Sequence, residues 1–295
     1  MGSMREAQYL SSAAKTLSEL LRPQARFTRS VHLERDFRDS DALSGYVLTD
    51  HSRDALTRIA SGLRQSSGQR AWRITGNYGS GKSSFALLFA HWFAGHNRTL
   101  PSSVRSRIPY KNITGKAPHV VPVLVTGSRE PMGLAVARGL LDACAPLYAS
   151  GRPPSFLSQL RRLVESWDPN DPHDEEVIGI LVAASRQIVG NRKGSGLLLV
   201  LDEVGKFLEY ATLQPERQDI YLLQRLAETA SRSKDAPFFV VALLHQGFHE
   251  YAHSLSVVTQ REWEKVAARF EEVLFDQPLE ELAMLIQAAL HLRSE

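Results

Sequence analysis

A short apolar segment, "AWRIT" at 71–75, runs directly into "GNYGSGKSS" and then into "FALLFAHWFAG". Those three phrases constrain the chain more than anything else in it. The first reads as a buried strand. The third is apolar nearly all round, so its helix is predicted to be central and buried. Between them, Gly76 to Ser83 fits G-x-x-x-x-G-K-[ST] in full and lies where that pattern must lie, between strand and helix. The physical reason is anion binding. Glycines let the backbone fold into a nest whose N–H groups point at phosphates. A helix N-terminus near Gly81 adds partial positive charge. Lys82 is expected to reach the β- and γ-phosphates as a point charge, and the Ser83 hydroxyl suits Mg²⁺. The predicted nucleotide-binding set is Gly76, Asn77, Tyr78, Gly79, Ser80, Gly81, Lys82, Ser83 and Ser84. A plain Gly/Ser linker has no need of a buried strand before it and a buried helix after it.

A second constellation is "LLLVLDEVGKFLE", a buried strand tipped by Asp202 and Glu203. Beside a phosphate loop, such a tip offers a Mg²⁺-side Asp and then a Glu that polarises the attacking water. Glu203 favours water as nucleophile, and so hydrolysis over transfer to a metabolite. Guanine is usually read by an N-K-x-D loop, and "NRKG" at 191–194 is not one, so adenine is expected. "FFVVALLHQGF" is a third strand with a polar end, where His245 or Gln246 suits a sensor of the γ-phosphate or the lytic water.

Around these motifs strands alternate with helices. Helices are predicted near 4–22, 52–64 (behind a Ser cap), 82–95, 131–147, 155–167, 174–189, 215–233, 259–270 and 278–293. Strands are predicted at "HVVPVLVTG", "LLLVL", "APFFVVALL" and "EEVLF", besides "AWRIT". Residues 100–118 read as an exposed connection. This alternation argues an α/β fold, a parallel sheet covered by helices on both faces. With 295 residues the chain can bury a substantial core. Its 43% apolar and 23% charged residues are those of a globular protein. The single cysteine, Cys144, rules out an internal disulfide and fits a reducing cytoplasm. No apolar run approaches the length of a membrane span.

"REWEKVAARFEEVLFDQP" places Arg269 at a helix end just before a short strand. Taken with the phosphate loop, the Asp-Glu strand and the sensor strand, the chain here resembles the AAA+ superfamily of P-loop NTPases over roughly residues 45–293. The resemblance implies an ATPase holding ATP·Mg²⁺ on Lys82, Ser83 and Asp202, with Glu203 catalytic. It also implies that Arg269 acts as an arginine finger on a neighbouring subunit's nucleotide, hence a homo-oligomer. Lys82 and Asp202 stand about 120 positions apart. That is long for a compact core, and extra helices near 155–189 are expected to fill the gap. In this the chain looks like the origin-recognition and STAND-like branches. In "YGSGKSSFAL" and "DEVGKFLEYA" it looks like ATPases of prokaryotic anti-phage defence islands. The implied function is an ATP-hydrolysing domain of a larger nucleic-acid or defence machine, with nucleic acid or other defence subunits as partners. The alternative is a nucleotide-controlled assembly switch with little turnover.

The expected organisation is a tag remnant at 1–3, a helical and irregular extension at 4–50, and an AAA+ type core at 51–295. The stop at "HLRSE", inside a helical pattern, suggests that a C-terminal lid is missing. Two features compete with this reading. "HEYAH", His249 to His253, matches the H-E-x-x-H of zinc proteases, and His245 extends its spacing. No third ligand is evident, and the phrase falls where the sensor strand turns into its helix, so a chance match is the better account. Arg22, Arg26, Arg29, Arg35 and Arg38 gather near the N-terminus. Acids such as Glu34 and Asp36 interrupt them, as on a solvated face, and no interleaved aromatics mark a nucleic-acid surface.

Overall fold

The computed structural model describes residues 21–24, 27, 29–64, 67–169, 171, 173–213, 220–252 and 256–292. The helix expected over 4–20, Arg26, the His249 side chain and His253 lie outside what is described. Two compact units are present, residues 31–276 and residues 1–30 with 277–295.

The larger unit is built on five parallel strands: β1 (Ala71–Thr75), β2 (Val121–Thr126), β3 (Leu197–Asp202), β4 (Phe238–Leu244) and β5 (Glu271–Leu274). They lie in the order β2-β3-β4-β1-β5. All five expected strands are present. The Asp-Glu strand β3 is not an immediate neighbour of β1, because β4 pairs with both and stands between them.

Strand alternation sorts the core into two layers. Leu197, Leu199 and Leu201 face one apolar cluster, while Leu198 and Val200 face the other. The second layer contains α1 (Asp50–Ala60) and α2 (Lys82–Ala94). Every α2 residue from Phe85 to Ala94 is buried, as a helix apolar on all sides must be. The first layer holds α3 (Met132–Cys144), α4 (Ser155–Glu165), α5 (Asp174–Gly190), α6 (Val204–Leu213), α7 (Ile220–Arg232), α8 (Phe248–Ala252) and α9 (Val257–Ala267). This is the predicted α/β architecture, with α4 and α5 filling the interval between the phosphate loop and β3.

Several local expectations are corrected. The helix at α1 is capped by Thr49, whose hydroxyl accepts from the Ser52 N–H at 3.1 Å, so Ser52 lies inside the first turn. The supposed exposed connection contains two short helices, Ser102–Arg107 and Tyr110–Ile113. Leu100, Val104 and Ile108, four residues apart, are buried in the α2 layer. Helix α6 was not expected. In the smaller unit, Leu21–Pro23 and Leu290–Leu292 are strands paired antiparallel, where helix was expected at both ends, and a helix runs over Leu279–Ala289. No helix among the described residues is long and apolar enough to cross a membrane.

Candidate phosphate-binding site

Parallel strands aim their C-terminal ends at one edge, and the chemistry-bearing residues collect there. At the end of β1 the chain enters the Gly76–Gly81 loop. Gly79 and Gly81 take φ of +78° and +91°, which a side chain would strain and which turn the loop back onto the start of α2. Gly81 is the residue before the first helical position, and no side chain caps the helix. Gly81 thus brings no capping side chain to the N–H groups of the first turn of α2, as suits an anion site.

Lys82 is only 4% exposed. Its Nζ donates to the Gly76 carbonyl at 2.6 Å and the Asn77 carbonyl at 2.8 Å, with the Ser80 hydroxyl at 3.4 Å. Burial holds this ammonium below its usual range, while Asp202 and Asp276 pull it back up. The loop is therefore folded around a cation whose nearest partners are neutral carbonyls. Asp276 also accepts from the Asn77 N–H at 3.3 Å, a contact that the sequence reading missed.

From β3, Asp202 enters the same space, 5% exposed. The Ser83 hydroxyl beside its carboxylate favours the charged form, and the Glu203 N–H donates to Oδ1 at 2.8 Å. Burial nevertheless pushes the Asp202 carboxyl up from its ordinary value, as for an acid short of a compensating cation. Ser83, at the start of α2, and Asp202, about 120 positions away at the end of β3, are thus brought to one site although β1 and β3 are not neighbours. One carboxylate and one hydroxyl beside a phosphate loop form a donor set suited to Mg²⁺, which takes few protein ligands and keeps phosphate and water oxygens.

Glu203 follows in a left-handed conformation, φ +50°. Its side chain pairs with Lys206 in the first turn of α6. From β4, His245 sits partly buried against the Tyr78 ring, centroids 4.7 Å apart, and Tyr78 itself is 83% exposed. The buried Nδ1 of His245 has no hydrogen-bond partner among the described residues. Burial lowers the affinity of this imidazole for a proton, and the Lys82 ammonium lowers it further, against Asp202 and Glu203. Gln246 is exposed just beyond the strand. Of the two sensor candidates, His245 is the one that the fold brings to Lys82, Asp202 and Glu203.

Arg269 is elsewhere. Glu271 pairs with Trp72, so Arg269 lies level with the start of β1, roughly 15 Å of strand from the phosphate loop. It is half-exposed and pairs with Glu228 at 3.4 Å. Of the H-E-x-x-H phrase, Phe248–Ala252 is the short helix α8. Among the described residues no three His, Cys, Asp or Glu side chains gather to hold a metal ion.

The chain matches no protein-family model and no curated protein. Its fold is similar to that of the ORC2 protein of Aeropyrum pernix, solved as ADPNP-ADP complexes, with a TM-score of 0.50 at 17% identity. The match covers 93% of this chain and 58% of that one. The ORC1 protein of the same organism, solved in complex with DNA, aligns with a TM-score of 0.45 at 14% identity, over 93% and 55%. The chain thus spans a little over half the length of each. A parallel five-stranded sheet under helices on both faces, with a G-x-x-x-x-G-K-S loop at the end of β1, is an α/β fold that this chain shares with ORC2.

Proposed function

We propose that this domain binds ATP with Mg²⁺ and hydrolyses it. The contact between Ser83 and Asp202 carries the reading, since it joins the phosphate loop to the acid-tipped strand in one polar site. The loop from Gly76 to Ser84 would cradle the phosphates with its N–H groups. Lys82 would exchange the Gly76 and Asn77 carbonyls for phosphate oxygens, a stronger, charge-assisted set of partners. Ser83 and Asp202 would hold Mg²⁺, which when bound neutralises the charge of the phosphates. Glu203 accepts a hydrogen bond from a water, whose oxygen bonds to the γ-phosphorus as the bond to the ADP oxygen breaks. His245, kept neutral, can offer or accept one hydrogen bond to the γ-phosphate or that water. Arg269 would serve a neighbouring copy's nucleotide, which makes a homo-oligomer part of the proposal. A place in a larger nucleic-acid or defence machine in the cytoplasm belongs to the same reading and rests on the sequence resemblance.

The test is ATP turnover with and without Mg²⁺, beside nucleotide binding, for the wild type and Glu203→Gln. The variant should bind ATP and lose turnover by roughly 10²-fold. Tight binding by the wild type with no turnover at any protein concentration, with or without DNA, would assign the site to a nucleotide-controlled switch. No binding at all would remove both readings.

A further inference from the structure

Glu203 is held by a residue that no phosphate-loop pattern includes. Its backbone is fixed on the near side: the N–H is taken by Asp202 Oδ1, and the residue sits at φ +50°. Among the described residues its carboxylate pairs with Lys206 through Oε2, and both side chains line a cleft of about 570 Å³. Tyr78, His245 and Tyr251 form other walls of that cleft. The lysine backbone is itself clamped. Gly205, immediately before it, is buried, and a Cβ there would stand 2.4 Å from the Tyr251 hydroxyl. That hydroxyl in turn lies beside the His245 backbone at the end of β4. A chain of contacts therefore runs from β4 through Tyr251 to the first turn of α6, and from Lys206 to Glu203.

We propose that Lys206 is a positioning residue for hydrolysis. It pins one carboxylate oxygen of Glu203 so that the other is presented to the lytic water. A glutamate carries three side-chain torsions, and on an open cleft wall most of their combinations point its oxygens away from any one water. Anchoring Oε2 to a cation on a clamped helix turn removes most of that freedom before substrate arrives, which is how a supporting contact raises a rate without touching the reacting atoms. Lys206 is half-exposed. An exposed pair of this kind adds little to stability, so its removal is expected to show in turnover and not in folding.

The inference rests on Glu203 acting on water, so the experiment is a double-mutant cycle on the whole chain, with ATP turnover, ATP affinity and thermal unfolding read for each protein. Lys206→Ala should lower kcat by about 10- to 100-fold, with ATP affinity and the unfolding temperature unchanged. Lys206→Arg, which keeps a cation within reach of Oε2, should retain most of the rate. In the Glu203→Gln background, Lys206→Ala should cost nothing more, because the two act as a unit. A normal Glu203→Gln loss beside an unchanged or faster Lys206→Ala enzyme overturns this proposal alone, a faster one marking Lys206 as a brake. Additive losses overturn it as well, since Lys206 then acts independently of Glu203. Full turnover in Glu203→Gln overturns the hydrolytic reading together with it.

Discussion

Acid should unfold this domain earlier than its carboxylates alone predict, and His91 is the reason. His91 lies in the last turn of α2, the helix that begins at the phosphate loop, and is 2% exposed. Its ring stacks on Phe37 with centroids 4.3 Å apart, and its Nδ1 meets the Nδ1 of His96 at 3.1 Å. That distance requires one shared proton between the two nitrogens, with the other nitrogen bare. The Nε2 of His91 is buried without a partner among the described residues. A second proton would place a charge in an apolar layer against another imidazole. Burial, and then His96, push His91 down to about 4 from an ordinary 6.5. His96 is held down as well, by burial and then by His119. The folded value is depressed, so the unfolded chain takes the proton first as pH falls. The stabilisation is fully present above about pH 6.5 and is lost as pH falls towards about 4. For these two values the linkage loss between pH 7 and pH 4.5 is roughly 2 kcal/mol. Urea unfolding of the wild type and His91→Phe at both pH values isolates it. Phenylalanine keeps the ring on Phe37 and cannot titrate, so its stability should fall by roughly 2 kcal/mol less over this interval. Equal losses in the two proteins would refute the assignment to His91.

The strand–loop–helix unit was legible because its signal is local. An apolar run, three glycines and a lysine at fixed spacing, and a helix with no polar face depend on nothing distant. The tips of β3 and β4 were legible for the same reason. What the sequence hid was of two kinds. Helix α6 carries Val204, Phe207, Leu208 and Ala211 at helical spacing, all buried. The stripe begins directly after an acidic pair and contains Gly205, so it reads as the tail of the strand. Leu100, Val104 and Ile108 keep the same period among serines, arginines and prolines, whose polarity suggested a surface loop. The other kind is pairing across long distances. Nothing near Gly205 announces that Tyr251 will occupy the place of its side chain. Nothing near Asn77 announces Asp276. These contacts exist because β4 and β5 end beside β1, and strand order is a property of the whole sheet.

Further substitutions test the site from different sides. Lys82→Ala should weaken ATP binding by roughly 10²-fold or more while leaving the unfolding temperature within a few degrees, since it removes a charge-assisted phosphate contact and not core packing; calorimetric titration and thermal unfolding read the two effects. Gly205→Ala should destabilise the domain by about 1–3 kcal/mol through the collision with Tyr251, measured by urea unfolding. It should also slow turnover at saturating ATP, because it displaces the turn that carries Lys206. Arg269→Ala bears on assembly. Arg269 is half-exposed and shares Glu228 with Arg232, which lies 4.0 Å from that carboxylate. Its loss leaves Glu228 with a second cation near water, so stability should stay within about 0.5 kcal/mol, and any lost activity is not unfolding. An arginine acting on a neighbour's phosphoryl group makes specific activity rise with protein concentration. Arg269→Ala should lose that rise and keep normal ATP affinity. Mixed with Glu203→Gln it should recover part of the activity, because a mixed interface joins an intact arginine from one copy to an intact glutamate in the other. No recovery in an assembly shown by sedimentation to contain both variants would leave Arg269 as the surface partner of Glu228.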